Sequence, residues 1–151
     1  MKNLFSLLAM FLVISFSTVA CDEDDEAQVI DSSLPSGNFS VQRTGVFTAQ
    51  NGTPTAGRAE LGTDGSNTTF LRFGTDFTTQ LATGTVTVYL STSQNFVADP
   101  GNGNPNLKLI GIVNKNGETF FRLDSAIESK FTHVILWCGS ANIPFGFAPL
   151  Q

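Results

Sequence analysis

The feature that most constrains the fold is a succession of short apolar runs, rich in Thr, Val and Phe, separated by turn sequences from Gly37 onward. No segment carries a sustained helical period. The clearest run, TVTVYLS, alternates, with Val86, Val88 and Leu90 on one face and Tyr89 and the hydroxyl residues on the other. This pattern predicts an all-β domain, an antiparallel β-sandwich or barrel-like fold of about seven to nine strands.

Turn sequences divide the domain into predicted strands. The segments NFSVQRTGVFTAQ (38–50) and TAGRAELGT (55–63) are predicted as the first two strands, joined across NGTP. Asn116 and Gly117 lie between two apolar runs, the strongest short-range signal for a β-hairpin in the chain. Residues 91–106, rich in Asn, Pro and Gly, are predicted to form a long loop of the kind that often carries binding functions.

The closing run, HVILWCGSANIPFGFAPL (133–150), is interpreted as one buried strand with a cysteine in its middle. In HVILWC both faces are apolar, which is typical of a central strand that is covered on both sides. The last strand of the domain is therefore expected to begin at Thr132.

The first twenty residues have the pattern of a secretory signal peptide. Lys2 precedes an apolar stretch, and small residues follow before Cys21. A membrane-spanning helix is the alternative, but the run is short, interrupted by serines, and followed by acidic residues. The junction TVAC resembles the lipobox of bacterial lipoproteins, which implies acylation of Cys21 and a mature protein attached to a membrane without spanning it.

An acidic segment, DEDDE (22–26), follows Cys21 directly and resembles the export signal of lipoproteins on the outer face of the outer membrane. The alternatives are a solvated acidic spacer and a protein that faces the periplasm. Six of the thirteen acids lie between Asp22 and Asp31, so the remainder of the chain is nearly neutral. The predicted organisation is a signal peptide (1–20), a disordered tether (21–36) and a β domain (37–151).

The balance of charge also bears on partners. The β domain has no basic patch, so no nucleic-acid partner is predicted. The partners predicted are the membrane, through the lipid anchor, and a redox or surface protein.

The carboxy-terminal sequence resembles a known family. The residues that carry the resemblance are FTHVILWC, then IPFGFAPL after the cysteine, together with TVTVYLS upstream and a GxF motif at Gly45–Phe47. The sequence resembles the DM-thirteen domain, which occurs beside DOMON domains in Skeletor-like proteins and alone in bacterial exported proteins. The resemblance implies a β-sandwich-like domain with a role in redox chemistry or electron transfer. It maps the cysteine of the family's WC motif onto Cys138, with Trp137, Phe145 and Gly146 completing the motif.

Two interpretations of Cys138 remain open from the sequence. If Cys21 is lipidated, Cys138 has no intramolecular partner and is a free thiol in an exported protein, a candidate redox group. Alternatively, it is a small buried hydrophobe in a non-catalytic surface binding or scaffold module, because the local sequence supplies no cation to lower the thiol pKa.

Other chemistry finds little support in the sequence. After removal of the signal peptide the chain has one histidine, His133, and no methionine, too few ligands for a blue-copper site. Electron transfer would then use the thiol itself, a haem held by few protein ligands, or a cofactor of the partner. His133 and Cys138 are five residues apart and should lie on opposite faces of a strand. No metal, cofactor or catalytic residue is therefore predicted, which favours a non-enzymatic protein and leaves an enzyme open.

Overall fold

A computed structural model of the chain describes residues 34–97 and 104–151. The predicted signal peptide, the lipidation site Cys21, the acidic segment 22–26 and the centre of the long loop (98–103) lie outside the described residues. The described part of the chain contains no helix long and apolar enough to cross a membrane.

The described residues form nine β-strands in two antiparallel sheets, which confirms the prediction of an all-β sandwich. A four-stranded sheet has the order β1-β3-β4-β7, and a five-stranded sheet has the order β2-β9-β8-β5-β6. The strand bounds are β1 Ser40–Val46, β2 Thr48–Ala49, β3 Arg58–Thr63, β4 Thr69–Phe73, β5 Val86–Ser91, β6 Leu107–Val113, β7 Thr119–Leu123, β8 His133–Cys138 and β9 Ile143–Pro149.

The hydrophobic core lies between the two sheets. The alternation predicted for β5 is confirmed, because Val86, Val88 and Leu90 are fully buried in this core and Thr87 and Tyr89 are only partly covered. Phe73 of β4 and Phe77, which follows β4 in the chain, belong to the same core, with their rings centred 4.4 Å apart and tilted by 36°. Aromatic and branched side chains of this size bury enough apolar surface to hold the sheets together.

The interpretation of residues 133–150 as one strand is wrong. The segment forms a hairpin, β8 and β9, that turns between Cys138 and Ile143. Asn142 adopts a left-handed backbone (φ 56°), and its N–H donates to the carbonyl of Cys138 at 2.8 Å. Asn tolerates this conformation well. β8 is nevertheless a central strand, as predicted, with β9 and β5 on its two sides.

The hairpin predicted at Asn116 and Gly117 is also wrong. β6 and β7 flank this turn but belong to different sheets, so the turn carries the chain across the sandwich. Contacts with a distant loop hold it in place. The N–H of Gly117 donates to the carbonyl of Phe77 at 2.8 Å, and the side-chain oxygen of Asn116 accepts from the N–H of Thr79 at 2.9 Å.

The first predicted strand is divided between the two sheets. β1 and β2 are separated by Phe47, whose N–H donates to the carbonyl of Gly57 at 2.9 Å and whose ring enters the core. β1 pairs with β3 in one sheet, and β2 pairs with β9 in the other. A single residue with its side chain in the core thus lets one segment contribute to both layers.

Candidate functional site

Cys138 is the last residue of β8 and is fully buried (0% exposed). It pairs with Val86 of β5 and Ile143 of β9, and its side chain belongs to the core between the sheets. The adjacent N–H of Gly139 donates to the carbonyl of Thr85 at 3.1 Å, which holds the strand end against β5. A thiol reagent or a partner protein reaches such a sulfur only when this part of the domain opens.

Cys138 is a free cysteine among the described residues, and the core around it is apolar. The core cluster consists of Phe, Leu, Val and Ala side chains with Cys138 itself. Reactive thiols are usually partly exposed and lie beside a cation or a helix amino terminus. The closed domain therefore gives Cys138 the environment of a packed side chain, and any redox reaction requires an open state.

Trp137 lies on the opposite face of the same sheet. Its ring stacks on Phe96, with centroids 3.9 Å apart and planes at 19°, and Phe96 in turn meets Tyr89 edge-on at 5.1 Å. Phe96 belongs to the segment after β5, so the start of the long loop folds back over the outer face of the sheet. We call Tyr89, Phe96 and Trp137 the outer aromatic group; Trp137 and Cys138, neighbours in the motif, thus have different surroundings.

Phe145 and Gly146 take their positions from an irregularity in β9. The pairing of β8 with β9 shifts register between Leu136 and Trp137, and Phe145 has no partner in the ladder. The extra residue lets the Phe145 ring reach the core while Gly146 pairs with Leu136. A Cβ on Gly146 would lie 2.8 Å from both the carbonyl oxygen of Thr48 and a methyl of Thr55, so only glycine fits there.

His133 begins β8 on the outer face, near Phe147 (ring centroids 6.2 Å apart). Its Nδ1 lies 2.9 Å from the hydroxyl of Thr132, and burial lowers the pKa of the imidazole below its usual value of 6.5. His133 and Cys138 lie on opposite faces, as the spacing predicted. Within residues 34–97 and 104–151, no group of three or more His, Cys, Asp or Glu side chains is arranged to hold a metal ion.

The structure brings only some of the predicted motif residues together. Cys138 and Phe145 share the core, Gly146 makes the close approach of β2 possible, Trp137 faces outward, and Cys21 lies outside the described residues. Phe96 and Gln50 border Trp137. Phe96 belongs to the loop 91–106 that was predicted to suit a binding function, whereas Gln50 was not predicted as a site residue. Phe96 is an isolated aromatic residue in a polar loop, which is the one signal that could have indicated a contact with the sheet.

Comparisons with known proteins bear directly on the carboxy-terminal motif. A family model described as "Electron transfer DM13" matches residues 46–150, a range that includes both strands of the β8–β9 hairpin. No curated protein and no solved structure matches the chain. The family match covers most of the sequence and confirms the resemblance drawn from the WC and PFGF motifs: the chain belongs to the DM13 family of electron-transfer domains.

Proposed function

We propose that this protein is an exported electron-transfer accessory domain, attached to the outer membrane through acyl chains on Cys21 and exposed at the cell surface. The observation that carries the redox part is the family match over residues 46–150. The signal-peptide pattern, the TVAC junction and the DEDDE segment support the anchoring and the location. The partner in this proposal is a second protein that brings its own redox group.

In this proposal Cys138 is the reacting group. The Cys138 thiol first loses its proton, and the resulting thiolate attacks one sulfur of a disulfide on the partner. A mixed disulfide forms, and the other partner sulfur leaves as a thiolate, which takes up that proton. Because the Cys138 side chain is fully buried, exchange requires the strand end and the 139–142 turn to open first. Burial would limit the reaction of the thiol with oxidants and with a partner to the rate at which this opening occurs.

The same burial favours a second candidate, a non-catalytic surface binding or scaffold module in which Cys138 is a core side chain. Free cysteines are among the residues most often found in protein interiors, and this one lies in an apolar cluster. The two candidates differ in one measurable property. The redox function needs a local opening that exposes Cys138, whereas the packing role does not.

Thiol labelling distinguishes the two candidates. In the full chain carrying Cys21→Ser, Cys138 is the only cysteine, because the sequence contains two. We would follow its reaction with a maleimide by intact mass, at increasing urea concentrations below the unfolding transition. The redox function predicts labelling through a local opening, with a rate that hardly changes with urea because little surface is exposed.

The opposite result is a labelling rate that rises with urea as steeply as global unfolding does. That dependence would mean that Cys138 is reached only when the whole domain unfolds, and the redox role of this thiol would be abandoned for the binding function. Mild peroxide treatment provides a second readout. A reversible oxidised species that forms under native conditions supports the redox role.

The anchor and the location have their own test. Cys21→Ser should move the protein from the membrane fraction to the soluble fraction, because the acyl chains are lost. Replacing residues 22–26 with serines should keep the protein in the membrane fraction but protect it from protease added to intact cells. Equal protease sensitivity of the native and the serine-substituted protein would mean that DEDDE is only a solvated spacer.

A further inference from the structure

A depression beside the outer aromatic group has the composition of a ligand site. It has a volume of about 290 Å³ and lies where three distant segments meet, the residue after β2, the start of the loop after β5, and the β8–β9 hairpin. Its lining residues are Gln50, Gln94, Asn95, Phe96, Trp137 and Pro144. None of these residues is charged, so the site suits a neutral ligand.

The walls of the depression are held in place by contacts of the fold. Phe96 stacks on Trp137 at 3.9 Å, and Trp137 pairs with Pro144 across the β8–β9 ladder. The backbone N–H of Gln50 donates to the carbonyl of Phe145 at 2.9 Å, which fixes this residue at the edge of β9. A site whose walls are already in place loses little conformational entropy when a ligand binds.

Gln50 supplies the observation that points to a ligand. Its side-chain oxygen is buried yet accepts no hydrogen bond from the described residues. A buried acceptor without a donor costs free energy, and such groups are rare in native proteins. If the Gln50 side chain turns towards the depression, a ligand hydroxyl there can donate to this oxygen and remove that cost.

We propose that this depression binds one sugar ring of a neutral glycan. A pyranose ring has an apolar face of C–H groups, which packs against aromatic rings and proline, and a rim of hydroxyls, which primary amides can both donate to and accept from. The depression combines Phe96, Trp137 and Pro144 with the three amides of Gln50, Gln94 and Asn95. Its volume lies at the lower end of the range for small-molecule sites, as expected for a single ring.

This inference does not depend on the chemistry of Cys138, since Trp137 faces the opposite side of the sheet. It gives the surface-binding candidate a site and a ligand class. Labelling of Cys138 and binding of sugars are separate measurements, so either can fail without the other.

The intrinsic fluorescence of the protein reports on the site directly, because Trp137 is the only tryptophan in the sequence. We would titrate the full chain with the methyl glycosides of glucose, galactose, mannose and N-acetylglucosamine. We expect a saturable change with at least one of them, with a Kd on the order of 1 mM for a single ring. No saturable change with any of the four up to about 100 mM would overturn the proposal.

Variants test the assigned residues. Gln50→Ala and the exposed Gln94→Ala should each weaken the responding sugar about tenfold, the effect of losing one hydrogen bond. The matched control is Gln42→Ala, since Gln42 lies in β1 of the other sheet and should leave the Kd unchanged. Equal affinities in all three variants would overturn the assignment, as would saturation by a proline-rich peptide without any response to sugars.

Discussion

Gly146 shows how one residue of the carboxy-terminal motif is dictated by its neighbours. It follows the unpaired Phe145 in β9 and lies against the short strand β2. The carbonyl oxygen of Thr48 and the side chain of Thr55 occupy the space that a Cβ would need. The glycine in PFGF is therefore explained by the close approach of β2, independently of any redox chemistry.

Gly146→Ala is expected to destabilise the domain by about 1–3 kcal/mol, the cost of forcing an extra methyl into a packed site. The measurement is urea-induced unfolding of the variant and the native chain.

Gly139→Ala is the matched control for this substitution. Gly139 lies in the β8–β9 turn, and a Cβ there would meet no atom within 4 Å. Its free energy of unfolding should stay within about 0.5 kcal/mol of the native value. Equal effects at the two glycines would mean that the approach of β2 does not explain Gly146.

At the scale of elements, the Asn116–Gly117 turn connects sheets instead of pairing strands. Gly117 adopts φ +83°, which suits glycine, and this turn is attached to the 77–79 segment by two hydrogen bonds. The same dipeptide in a hairpin would need β6 and β7 as neighbours, yet β6 pairs with β5 and β7 pairs with β4. The long-range hydrogen bonds therefore decide what this turn does.

Asn116→Ala removes the acceptor of the Thr79 N–H, and Thr79 is buried. We expect a loss of about 1–3 kcal/mol in the free energy of unfolding, because a buried donor is left without a partner. Asn114→Ala is the control, since Asn114 is an exposed residue of the same connection. Both variants can be compared by urea-induced unfolding; a similar loss in both would contradict the role of the Thr79 contact.

In the molecule as a whole, aromatic contacts lie on the outer faces of both sheets as well as in the core. On the five-stranded sheet, Phe96 packs on Trp137. On the four-stranded sheet, Phe39 and Phe70 each meet Phe120 edge-on, at 5.8 and 6.3 Å. These contacts tie segments outside the strands to the sandwich and add buried apolar surface on both sides.

The stability of the molecule should depend on pH through His133. Burial lowers the pKa of His133 below 6.5 in the folded state, so the unfolded chain binds the proton at a higher pH. The free energy of unfolding should therefore fall as the pH drops through about 6.5 and fall no further from this cause once the pH is below the folded-state pKa. Urea-induced unfolding between about pH 5 and pH 8 would measure this change.

His133→Gln should remove this pH dependence of the free energy of unfolding between about pH 5 and pH 8. A variant that keeps the same slope would show that another group is responsible.

Asp64 affects stability in a separate, more acidic pH range, because hydrogen bonds from the backbone N–H groups of Ser36, Thr68 and Ser66 lower the pKa of its carboxyl below 3.8. Its contribution is present above that value and is lost as the pH falls through the folded-state pKa.

Local sequence determined the features that depend only on neighbouring residues. The alternation of Val86, Val88 and Leu90 identified the inner face of β5, because side chains on a strand alternate between two faces whatever the strand pairs with. The WC and PFGF motifs were sufficient to indicate the family that the match over residues 46–150 shows. The all-β class followed from the same short-range patterns.

Features that depend on distant residues followed only from the order and packing of the sheets. The sheet order decides whether the face carrying Cys138 meets the other sheet or the solvent. It also decides whether the Asn116–Gly117 turn joins two neighbouring strands and whether Phe96 reaches Trp137. A local pattern sets which residues share a face, but long-range pairing sets what covers that face. The burial of Cys138 and the depression beside Trp137 follow from this second step, because both are made by segments far apart in the chain.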